Sequence, residues 1–417
     1  MLKIKGNKLL KGSIEVKGSK NSSLPIIIAS LLNKGKVRLE NVPNISDVNI
    51  LIYILRYLNV DIEYKNNILE IDSSNIEYKS LLVDDVKKIR ASSYFMGAFL
   101  SLFKKVEIFN PGGCNFSYRP IDYHLNGFKE FGVNIISEND LYLEANNIHN
   151  GYYFIPNISV GTTIDLLLFF SLNDNLFILD NIALEVEVME VIEFLKLMGV
   201  EINKIKERTL LIKGKKELNK DIKYKIKNDR IEAGSLALLG AILGDHLEIK
   251  GFDLFSNLYL LNIFNKLNVP YKLNDDTLII SRFIDFKGIE IETNPYPLFP
   301  TDLQPLLTVF LSLGKEESII KENIYPSRMS HINELNKLGF NLKVNNNYII
   351  IKRMNKLKGN NLYCKDLRGG FSLLMASLLC EDVSTLYNEE FIKRGYEDII
   401  NRLISLGAII YEEDYFN

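Results

Sequence analysis

The sequence predicts an α+β (α/β) fold of two domains, each built from three copies of one structural unit. Three observations support this prediction. A chain of 417 residues is long enough for two or three domains with separate hydrophobic cores. Its composition, 47% hydrophobic and 24% charged, is typical of globular proteins. Most informative is a short pattern that occurs six times, at intervals of 67 to 73 residues.

The recurring pattern is a bulky apolar residue, then Gly or Asn, then a small or apolar residue. In each copy it follows an amphipathic helical sequence and precedes a short strand, a polar turn and, in most copies, a second strand. Gly or Asn is expected where a left-handed residue ends a helix. We therefore predict a surface helix followed by a hairpin in each copy. The six patterns end at Val60, Val133, Val200, Val269, Phe340 and Ala408.

A second helix of a different kind lies upstream of each pattern. Its sequence is almost wholly apolar after the first turn, as in ASSYFMGAFLSLF and AGSLALLGAIL, so we expect it to be buried on all sides. A strand ending in a turn follows it, as in KVEIFNPGG. Each unit of about 70 residues thus contains a buried helix, a strand, a surface helix and a hairpin.

Polar, charged or glycine residues stand at the start of the buried helices. A helix N-terminus presents unpaired N–H groups and a partial positive charge, which suits anions. Any one of these residues could be a simple cap. Six of them in a pseudo-symmetric array favour a shared anion-binding cleft. The six positions are Lys20 with Asn21, Arg90, Gly161 with Thr162, Arg230 with Glu232, Asp302, and Arg368.

Composition and charge argue against several functional classes. A formal net charge of −2 gives no electrostatic basis for binding nucleic acid or an anionic membrane. The N-terminal sequence lacks a signal-peptide core and no apolar stretch approaches about 18 residues, so we expect a cytoplasmic protein. Three cysteines without a CxxC pair, and four histidines without HExxH spacing, indicate no metal site. No phosphate loop or dinucleotide fingerprint indicates a cofactor.

Seven local strings are more specific than composition. They are KGSKNSSLP at 17–25, IRASSYFMG at 89–97, NPGGC with RPIDYH between 110 and 124, DRIEAGS at 229–235, NPYPLFPTDLQ at 294–304, DLRGG at 366–370 and KRGYE at 393–397. Together they resemble the UDP-N-acetylglucosamine 1-carboxyvinyltransferases through nearly the whole chain. The resemblance implies two inside-out α/β barrels of three units each, with the active site in the cleft between them. Residues 21–228, with the Cys114 loop, would form one domain, and residues 1–20 with 229–417 the other.

The implied reaction transfers the enolpyruvyl group of phosphoenolpyruvate to the 3′-hydroxyl of UDP-N-acetylglucosamine and releases phosphate, as the first committed step of peptidoglycan synthesis. This addition needs one acid and one base. The resemblance assigns the acid, and a covalent adduct with phosphoenolpyruvate, to Cys114. An exposed thiol beside arginine is a setting in which cysteine becomes reactive. It assigns the base to Asp302, whereas Cys364 and Cys380 are expected to be small buried hydrophobes.

The resemblance also implies the residues that bind substrates. Phosphoenolpyruvate carries a phosphate and a carboxylate, so its site needs several cations. Lys20, Arg119 and Arg394 correspond to these, with Arg90 and Arg368 nearby, and Lys20 and Arg394 count as catalytic too. For the nucleotide-sugar, backbone N–H groups of the SVGT turn would suit the diphosphate. The other implied substrate-binding residues are Asn21, Pro120, Ile121, Asp122, Tyr123, Ser159, Val160, Gly161, Ile324 and Arg328, with Arg90, Arg119 and Asp302 contributing again.

The remaining predictions are a hinge and a set of supporting acidic residues. The sequence also differs from the family pattern at several positions. A hinge is expected near residues 19–21 and 228–230, and closure there would bring Cys114 over the site. The supporting acids, at the hinge or behind the binding residues, are Glu185, Glu187, Asp229 and Glu232. The departures are Ser19, Phe116 with Ser117, Asn157, and Leu298 with Phe299. Of these, Asn157 replaces a basic residue and removes one plausible cation for the diphosphate.

Two alternatives stay open from sequence. Enolpyruvylshikimate-phosphate synthase performs the same chemistry on another acceptor, but it lacks the cysteine loop. A non-catalytic UDP-sugar-binding paralogue would have no physical reason to keep acid, base and cations together. The sequence makes no prediction of oligomeric state.

Overall fold

The computed structural model describes residues 1–6, 8–112, 120–138 and 140–413. Within these ranges the chain forms two compact units. We call the described residues between 18 and 227 the 18–227 unit, and residues 228–413 together with the N-terminal residues 1–17 the 228–413 unit. Among the described residues, the chain passes from one unit to the other after Lys17 and after Lys227.

The described residues form fourteen α-helices and four short 3₁₀ segments. The helices are α1 (Lys20–Ala29), α2 (Ser46–Tyr57), α3 (Asp84–Lys88), α4 (Phe95–Phe103), α5 (Asp122–Glu130), α6 (Val160–Phe170), α7 (Val186–Met198), α8 (Arg230–Leu243), α9 (Leu258–Lys266), α10 (Gln304–Leu311), α11 (Ser330–Lys337), α12 (Leu367–Ser377), α13 (Glu390–Lys393) and α14 (Ile399–Ser405). The 3₁₀ segments are Ser30–Leu32, Arg90–Tyr94, Phe255–Asn257 and Thr301–Leu303. None of these described helices is both long enough and apolar enough to span a lipid bilayer.

The strands of the described residues are short, with three to six residues each. They are β1 (Leu2–Lys5), β2 (Ser13–Glu15), β3 (Val37–Glu40), β4 (Asp61–Lys65), β5 (Ile68–Asp72), β6 (Lys105–Ile108), β7 (Asn134–Ser137), β8 (Leu141–Glu144), β9 (Gly151–Phe154), β10 (Leu176–Asp180), β11 (Glu201–Lys206), β12 (Thr209–Lys213), β13 (Ile222–Lys225), β14 (Leu247–Lys250), β15 (Tyr271–Asn274), β16 (Thr277–Ile280), β17 (Glu290–Thr293), β18 (Ser318–Glu322), β19 (Asn341–Asn345), β20 (Tyr348–Lys352), β21 (Asn361–Tyr363), β22 (Val383–Tyr387) and β23 (Ile409–Glu412).

Six helices, α1, α4, α6, α8, α10 and α12, are buried as their apolar sequences predict. Every residue of α8 is buried, and so is every residue of α6 from Thr162 onward. Within the 18–227 unit α4 packs against α6 and α1, and within the 228–413 unit α10 packs against α12 and α8. Each unit thus has its own helical core, and the strands around it alternate buried and exposed residues, as in β5 and β22.

The six predicted left-handed positions are confirmed. Each Gly or Asn of the recurring pattern has a positive φ and follows a surface helix. Glycine adopts this left-handed conformation because it has no Cβ, and asparagine tolerates it because its short polar side chain can form local hydrogen bonds. They are Asn59 (60°), Gly132 (88°), Gly199 (117°), Asn268 (57°), Gly339 (107°) and Gly407 (100°).

Six separate sheets share one layout, and among the described residues none closes into a barrel. The strand after a buried helix lies between a parallel strand and the inner strand of an antiparallel hairpin, as in the order β13–β3–β5–β4. In the sheet β6–β8–β7 a single parallel bridge from Leu81 to Ile108 stands at the fourth position. The repeated sequence unit therefore corresponds to a repeated sheet.

The sixth sheet differs from the predicted hairpin. Its order is β21–β22–β1–β23, so the N-terminal strand β1 occupies the place of the inner hairpin strand. β1 pairs antiparallel with both β22 and β23. The N-terminal segment thus supplies the strand that the sixth sequence copy lacks.

Two buried helices begin differently from the prediction. Arg90 and Asp302 lie in the 3₁₀ segments Arg90–Tyr94 and Thr301–Leu303, and the α-helices begin after them, at Phe95 and Gln304. Tighter 3₁₀ turns are common at the N-termini of α-helices. Both side chains still stand at the polar end of a buried helix.

Candidate active site

In the 18–227 unit, Lys20 lies at the start of α1 and forms a buried ion pair. Its Nζ lies 2.8 Å from Oδ2 of Asp47 in the first turn of α2, and the two side chains are 11% and 3% exposed. Ser19, one of the departures from the family pattern, caps α1, because its Oγ accepts a 3.2 Å hydrogen bond from the Ser22 N–H. Asn21 follows Lys20 and is half-buried. The sequence analysis missed Asp47.

Arg90 contacts Pro111, where the predicted cysteine loop begins in the sequence. Its Nη1 donates a 3.0 Å hydrogen bond to the carbonyl oxygen of Pro111. The loop itself, with Cys114 and Arg119, lies outside the described residues. The roles assigned to these two residues therefore stay predictions.

The structure brings two predicted nucleotide-sugar segments together, residues 120–123 and residues 157–161. Nδ2 of Asn157 donates a 2.6 Å hydrogen bond to the Tyr123 hydroxyl, and the Tyr153 hydroxyl donates a 3.0 Å bond to the Tyr123 carbonyl. Pro120 and Asp122 are exposed, and Ile121 and Tyr123 are half-buried. The family resemblance implies a basic residue at position 157. Asn157 supplies no charge there and instead forms a hydrogen bond with Tyr123 in the first turn of α5.

The start of α6 is capped by Ser159. Its Oγ accepts a hydrogen bond from the Thr162 N–H (3.2 Å) and donates one to the Thr162 hydroxyl (2.9 Å). Val160 and Gly161 form the first turn and are half-buried. A Cβ on Gly161 would lie 3.2 Å from Nε2 of His124, so glycine allows this turn to approach the imidazole ring. The turn presents helix N–H groups beside a histidine, a setting suited to phosphate oxygens.

A buried pair of side chains, which was not predicted from the sequence, connects three helices of this region. Nδ1 of His124 lies 2.9 Å from Oδ2 of Asp165, and Oδ1 of Asp165 accepts a 2.6 Å hydrogen bond from the Gly97 N–H. Burial raises the pKa of the Asp165 carboxyl, and the contact with His124 opposes that shift. The pair joins α4, α5 and α6. A carboxylate within an otherwise apolar helix was the available signal.

In the 228–413 unit, Asp302 is held by two buried arginines. Its Oδ1 accepts a 2.7 Å hydrogen bond from Nη1 of Arg328, and its Oδ2 lies 3.6 Å from Nη2 of Arg368. The Asp302 side chain is 27% exposed, whereas the arginines are 3% and 2% exposed. The carboxylate is thus the accessible end of a buried cationic cluster.

Arg328 is tied to its surroundings by carboxylates. Burial alone would lower its pKa, but the nearby Asp302 and Asp366 carboxylates raise the pKa above its ordinary value. The same Nη1 that contacts Asp302 also donates a 3.0 Å hydrogen bond to the Thr301 hydroxyl. Arg328 is therefore fixed in a charged state beside the candidate base.

Arg368 carries unused hydrogen-bonding capacity. It lies in the first turn of α12, which Asp366 caps by accepting a 2.9 Å bond from the Gly369 N–H. Its guanidinium carbon lies 5.0 Å from the ring centroid of Tyr396. None of its three guanidinium nitrogens has a hydrogen-bond partner among the described residues. Since buried donors are normally paired, this side chain is suited to an anionic ligand.

The remaining predicted residues of this unit are Ile324 and Arg394. Arg394 is half-buried and follows α13. The Ile324 N–H donates a 2.9 Å hydrogen bond to Oε1 of Glu322, a wholly buried carboxylate at the end of β18. The sequence analysis missed Glu322, although a glutamate on the buried face of the strand SIIKE was a visible signal.

Two buried glutamates hold the segments at which the chain crosses between units. Glu232 accepts hydrogen bonds from the Lys17 N–H (3.0 Å) and from Nη1 of Arg402 (2.6 Å). Glu190 accepts them from the Lys227 N–H (3.0 Å) and the Ser22 hydroxyl (2.5 Å). Burial raises the pKa of both carboxyls. Glu232 was predicted as a supporting acid, and Glu190 was missed.

The other supporting acids lie close by in sequence. Asp229 caps α8 by accepting bonds from the Ile231 N–H (2.8 Å) and the Glu232 N–H (3.0 Å). Glu185 and Glu187 are buried at the start of α7. These contacts assign Asp229 a structural role in its own unit.

Comparisons with known proteins identify the family of this chain. The family model of EPSP synthase (3-phosphoshikimate 1-carboxyvinyltransferase) matches residues 4–403. UDP-N-acetylglucosamine 1-carboxyvinyltransferase 2 of Staphylococcus epidermidis is 38% identical over 99% of both chains, and UDP-N-acetylglucosamine 1-carboxyvinyltransferase 1 of Staphylococcus haemolyticus is also 38% identical over 99% of both. The chain belongs to the UDP-N-acetylglucosamine 1-carboxyvinyltransferase family.

Solved structures of enolpyruvyl transferases share the fold. The enolpyruvyl transferase NikO from Streptomyces tendae matches with a TM-score of 0.89 and 22% identity, covering 98% of each chain. EPSP synthase from Acinetobacter baumannii matches with a TM-score of 0.72 and 15% identity over 99% of each chain. The two-domain α/β fold of enolpyruvyl transferases is therefore the fold of this chain.

Proposed function

We propose that this protein transfers the enolpyruvyl group of phosphoenolpyruvate to the 3′-hydroxyl of UDP-N-acetylglucosamine and releases phosphate. The observation that carries the proposal is the Asp302 carboxylate, held by Arg328 and Arg368 in a chain of this family. A partly exposed carboxylate on a rigid mount suits a general base, since its position rather than its mobility determines proton transfer.

In the proposed reaction Asp302 takes the proton of the sugar 3′-hydroxyl, while the oxygen of that hydroxyl bonds to C2 of phosphoenolpyruvate. The methylene carbon C3 takes a proton, which we assign to the Cys114 thiol. The tetrahedral adduct then loses phosphate from C2 and returns a proton from C3 to the Cys114 thiolate, which regenerates the carbon–carbon double bond and the thiol. Each of these proton transfers requires a group whose protonation state is matched to the reaction.

Phosphoenolpyruvate requires cations around its phosphate and carboxylate. Arg368 supports this role because its buried guanidinium has unused donors, and Lys20 supports it because its ammonium is held at a helix start. We assign Arg119, Arg394 and Arg90 to the same anionic groups. Each charge-assisted hydrogen bond contributes about 1.5–3 kcal/mol, so loss of one cation lowers kcat/KM at least tenfold.

For the nucleotide-sugar we propose two binding segments in the 18–227 unit. Residues 119–123 and 159–161 would bind along the uridine diphosphate, with the α6 N-terminus at the phosphates. Asn21 and Arg90 are assigned to the sugar, and Ile324 with Asp302 to the acceptor hydroxyl. The contact between Tyr123 and Asn157 supports a shared site for the nucleotide, since it joins the two segments.

Binding is proposed to compact the chain by bending at the two crossings, near residues 19–21 and 228–230, and to close the Cys114 loop over the substrates. Small-angle scattering with and without UDP-N-acetylglucosamine tests this, because an unchanged radius of gyration contradicts closure. We also propose a cytoplasmic location.

The acceptor is tested by phosphate release from phosphoenolpyruvate, measured in parallel with UDP-N-acetylglucosamine and with shikimate 3-phosphate. We expect release with the nucleotide-sugar alone. Release with shikimate 3-phosphate would instead assign the acceptor of the EPSP synthases. Tight UDP-N-acetylglucosamine binding without any release would indicate a non-catalytic binding protein.

A further inference from the structure

Glu322 collects four hydrogen bonds at the edge of the candidate site. Its Oε1 accepts from the Thr293 hydroxyl (2.7 Å), the Ile324 N–H (2.9 Å) and the Tyr325 N–H (2.9 Å). Its Oε2 accepts a 3.0 Å bond from the Thr301 hydroxyl. The carboxylate is wholly buried. Such a concentration of donors on one buried acceptor fixes the backbone at Ile324 and the side chain of Thr301 together.

The Thr301 hydroxyl connects this carboxylate to Arg328. It accepts a 3.0 Å hydrogen bond from Nη1 of Arg328, and that same nitrogen donates to Oδ1 of Asp302 at 2.7 Å. A guanidinium can only donate, and an ionised carboxylate can only accept. The hydroxyl proton must therefore point to Glu322, which leaves an oxygen lone pair for Arg328. The direction of this hydrogen-bond chain is set by the charges at its two ends.

We infer that Glu322 is a positioning residue. It holds Arg328 against Asp302 through the Thr301 hydroxyl, and it fixes the Ile324 backbone where the acceptor hydroxyl of the sugar is proposed to bind. The inference rests on the proposed function, because it assigns Glu322 to the alignment of the base and the sugar hydroxyl. Glu322 itself touches neither substrate in this account. Its effect on the reaction is carried by Thr301 and Ile324.

Three substitutions separate this role from simple structural support. Glu322→Gln keeps the size, but its amide must direct oxygen toward the two backbone N–H groups and nitrogen toward Thr301, so the hydroxyl loses its acceptor. Thr301→Val removes the connection to Arg328 and keeps the carboxylate. Thr293→Val is the matched control, since it makes the same change at a hydroxyl that contacts Glu322 and Asn323 but not Arg328.

The kinetic test measures kcat and KM for both substrates together with the melting temperature. We expect Glu322→Gln and Thr301→Val each to lower kcat about 10- to 100-fold. Thr301→Ser keeps the hydroxyl and should therefore retain most of the wild-type kcat. Thr293→Val should lower only the melting temperature. The double variant Glu322→Gln/Thr301→Val should lose much less than the product of the two single losses, because both act on one chain of bonds. Multiplying losses, or equal losses for Thr293→Val and Thr301→Val, would overturn the inference.

A crystal structure of the Thr301→Val variant tests the position of Arg328 without a measurement of activity. We expect Nη1 of Arg328 to leave its 2.7 Å contact with Asp302. An unchanged contact overturns the positioning role even in an active enzyme. Wild-type protein that turns over neither acceptor would refute the proposed function, while the displaced arginine would still support the hydrogen-bond chain.

Discussion

Lys20 and Asp47 form a buried ion pair of 2.8 Å between the starts of α1 and α2. A cation proposed to bind phosphoenolpyruvate is thus held by a carboxylate of its own unit. Breaking one side of a buried pair costs about 3–5 kcal/mol, because the remaining buried charge loses that counter-charge.

We therefore expect Lys20→Met to lose both activity and about 3–5 kcal/mol of the free energy of unfolding. The double variant Lys20→Met/Asp47→Asn should recover most of that stability but none of the activity. Urea unfolding and phosphate release measure the two properties separately. An active double variant would exclude Lys20 from substrate binding.

Arg368 should show the opposite balance between stability and activity. The buried guanidinium of Arg368 has no hydrogen-bond partner among the described residues, and its ion pair with Asp302 is long, at 3.6 Å. Arg368→Met should therefore lower the melting temperature much less than Lys20→Met does, while kcat/KM for phosphoenolpyruvate falls 100-fold or more. Arg402→Met is the contrasting variant: Arg402 is half-buried and pairs with the buried Glu232, so its loss should lower the melting temperature. A strongly destabilised Arg368→Met would instead indicate a structural role for this side chain.

Electrophile labelling should distinguish Cys114 from the other two cysteines. Burial raises the pKa of the Cys364 thiol, and raises that of Cys380 to about 11, so both remain unreactive thiols at neutral pH. Both are free and buried, as the sequence predicts. We expect fosfomycin to add to the wild type and to Cys364→Ser but not to Cys114→Ser, as read by intact-protein mass spectrometry. Labelling that persists in Cys114→Ser would place the reactive thiol elsewhere.

Glu190 gives a prediction for the dependence of stability on pH. Burial raises the pKa of its carboxyl above the ordinary 4.5, so between 4.5 and the raised value the folded state binds more protons than the unfolded state. The stability of the wild type relative to Glu190→Gln should therefore fall as pH rises through this window, by about 1.4 kcal/mol per unit of pKa shift. Melting temperatures of both proteins from pH 4 to pH 8 provide the test. A difference that does not change with pH, or that grows in favour of the wild type, would contradict it.

Much of the fold could be predicted because local sequence determines it. Asn59 and Gly199 take up left-handed backbone at the ends of surface helices, and the apolar sequence of α8 is buried throughout, as expected. The place of β1 in the sixth sheet was missed, since pairing between the two ends of a chain leaves no local pattern.

The sequence nominates individual residues for the candidate site but not the contacts between them. Asp302 and Arg368 stand where helix-start reasoning and family resemblance place them. Their partners depend on the packing of distant segments: Asp47 faces Lys20, and Glu322 reaches Arg328 through Thr301. No spacing in the sequence encodes these pairings, although a lone carboxylate in an apolar segment marks the residues to examine.

The central claim is that Asp302 is the base for the sugar hydroxyl, and the most direct measurement compares wild type with Asp302→Asn. Product formation from phosphoenolpyruvate and UDP-N-acetylglucosamine should fall about 100- to 10,000-fold at saturating substrates, which is the usual contribution of a general base. Calorimetry should show UDP-N-acetylglucosamine binding retained within a few fold. If Asp302→Asn turns over at near the wild-type rate, the base lies elsewhere and the account of this site is wrong.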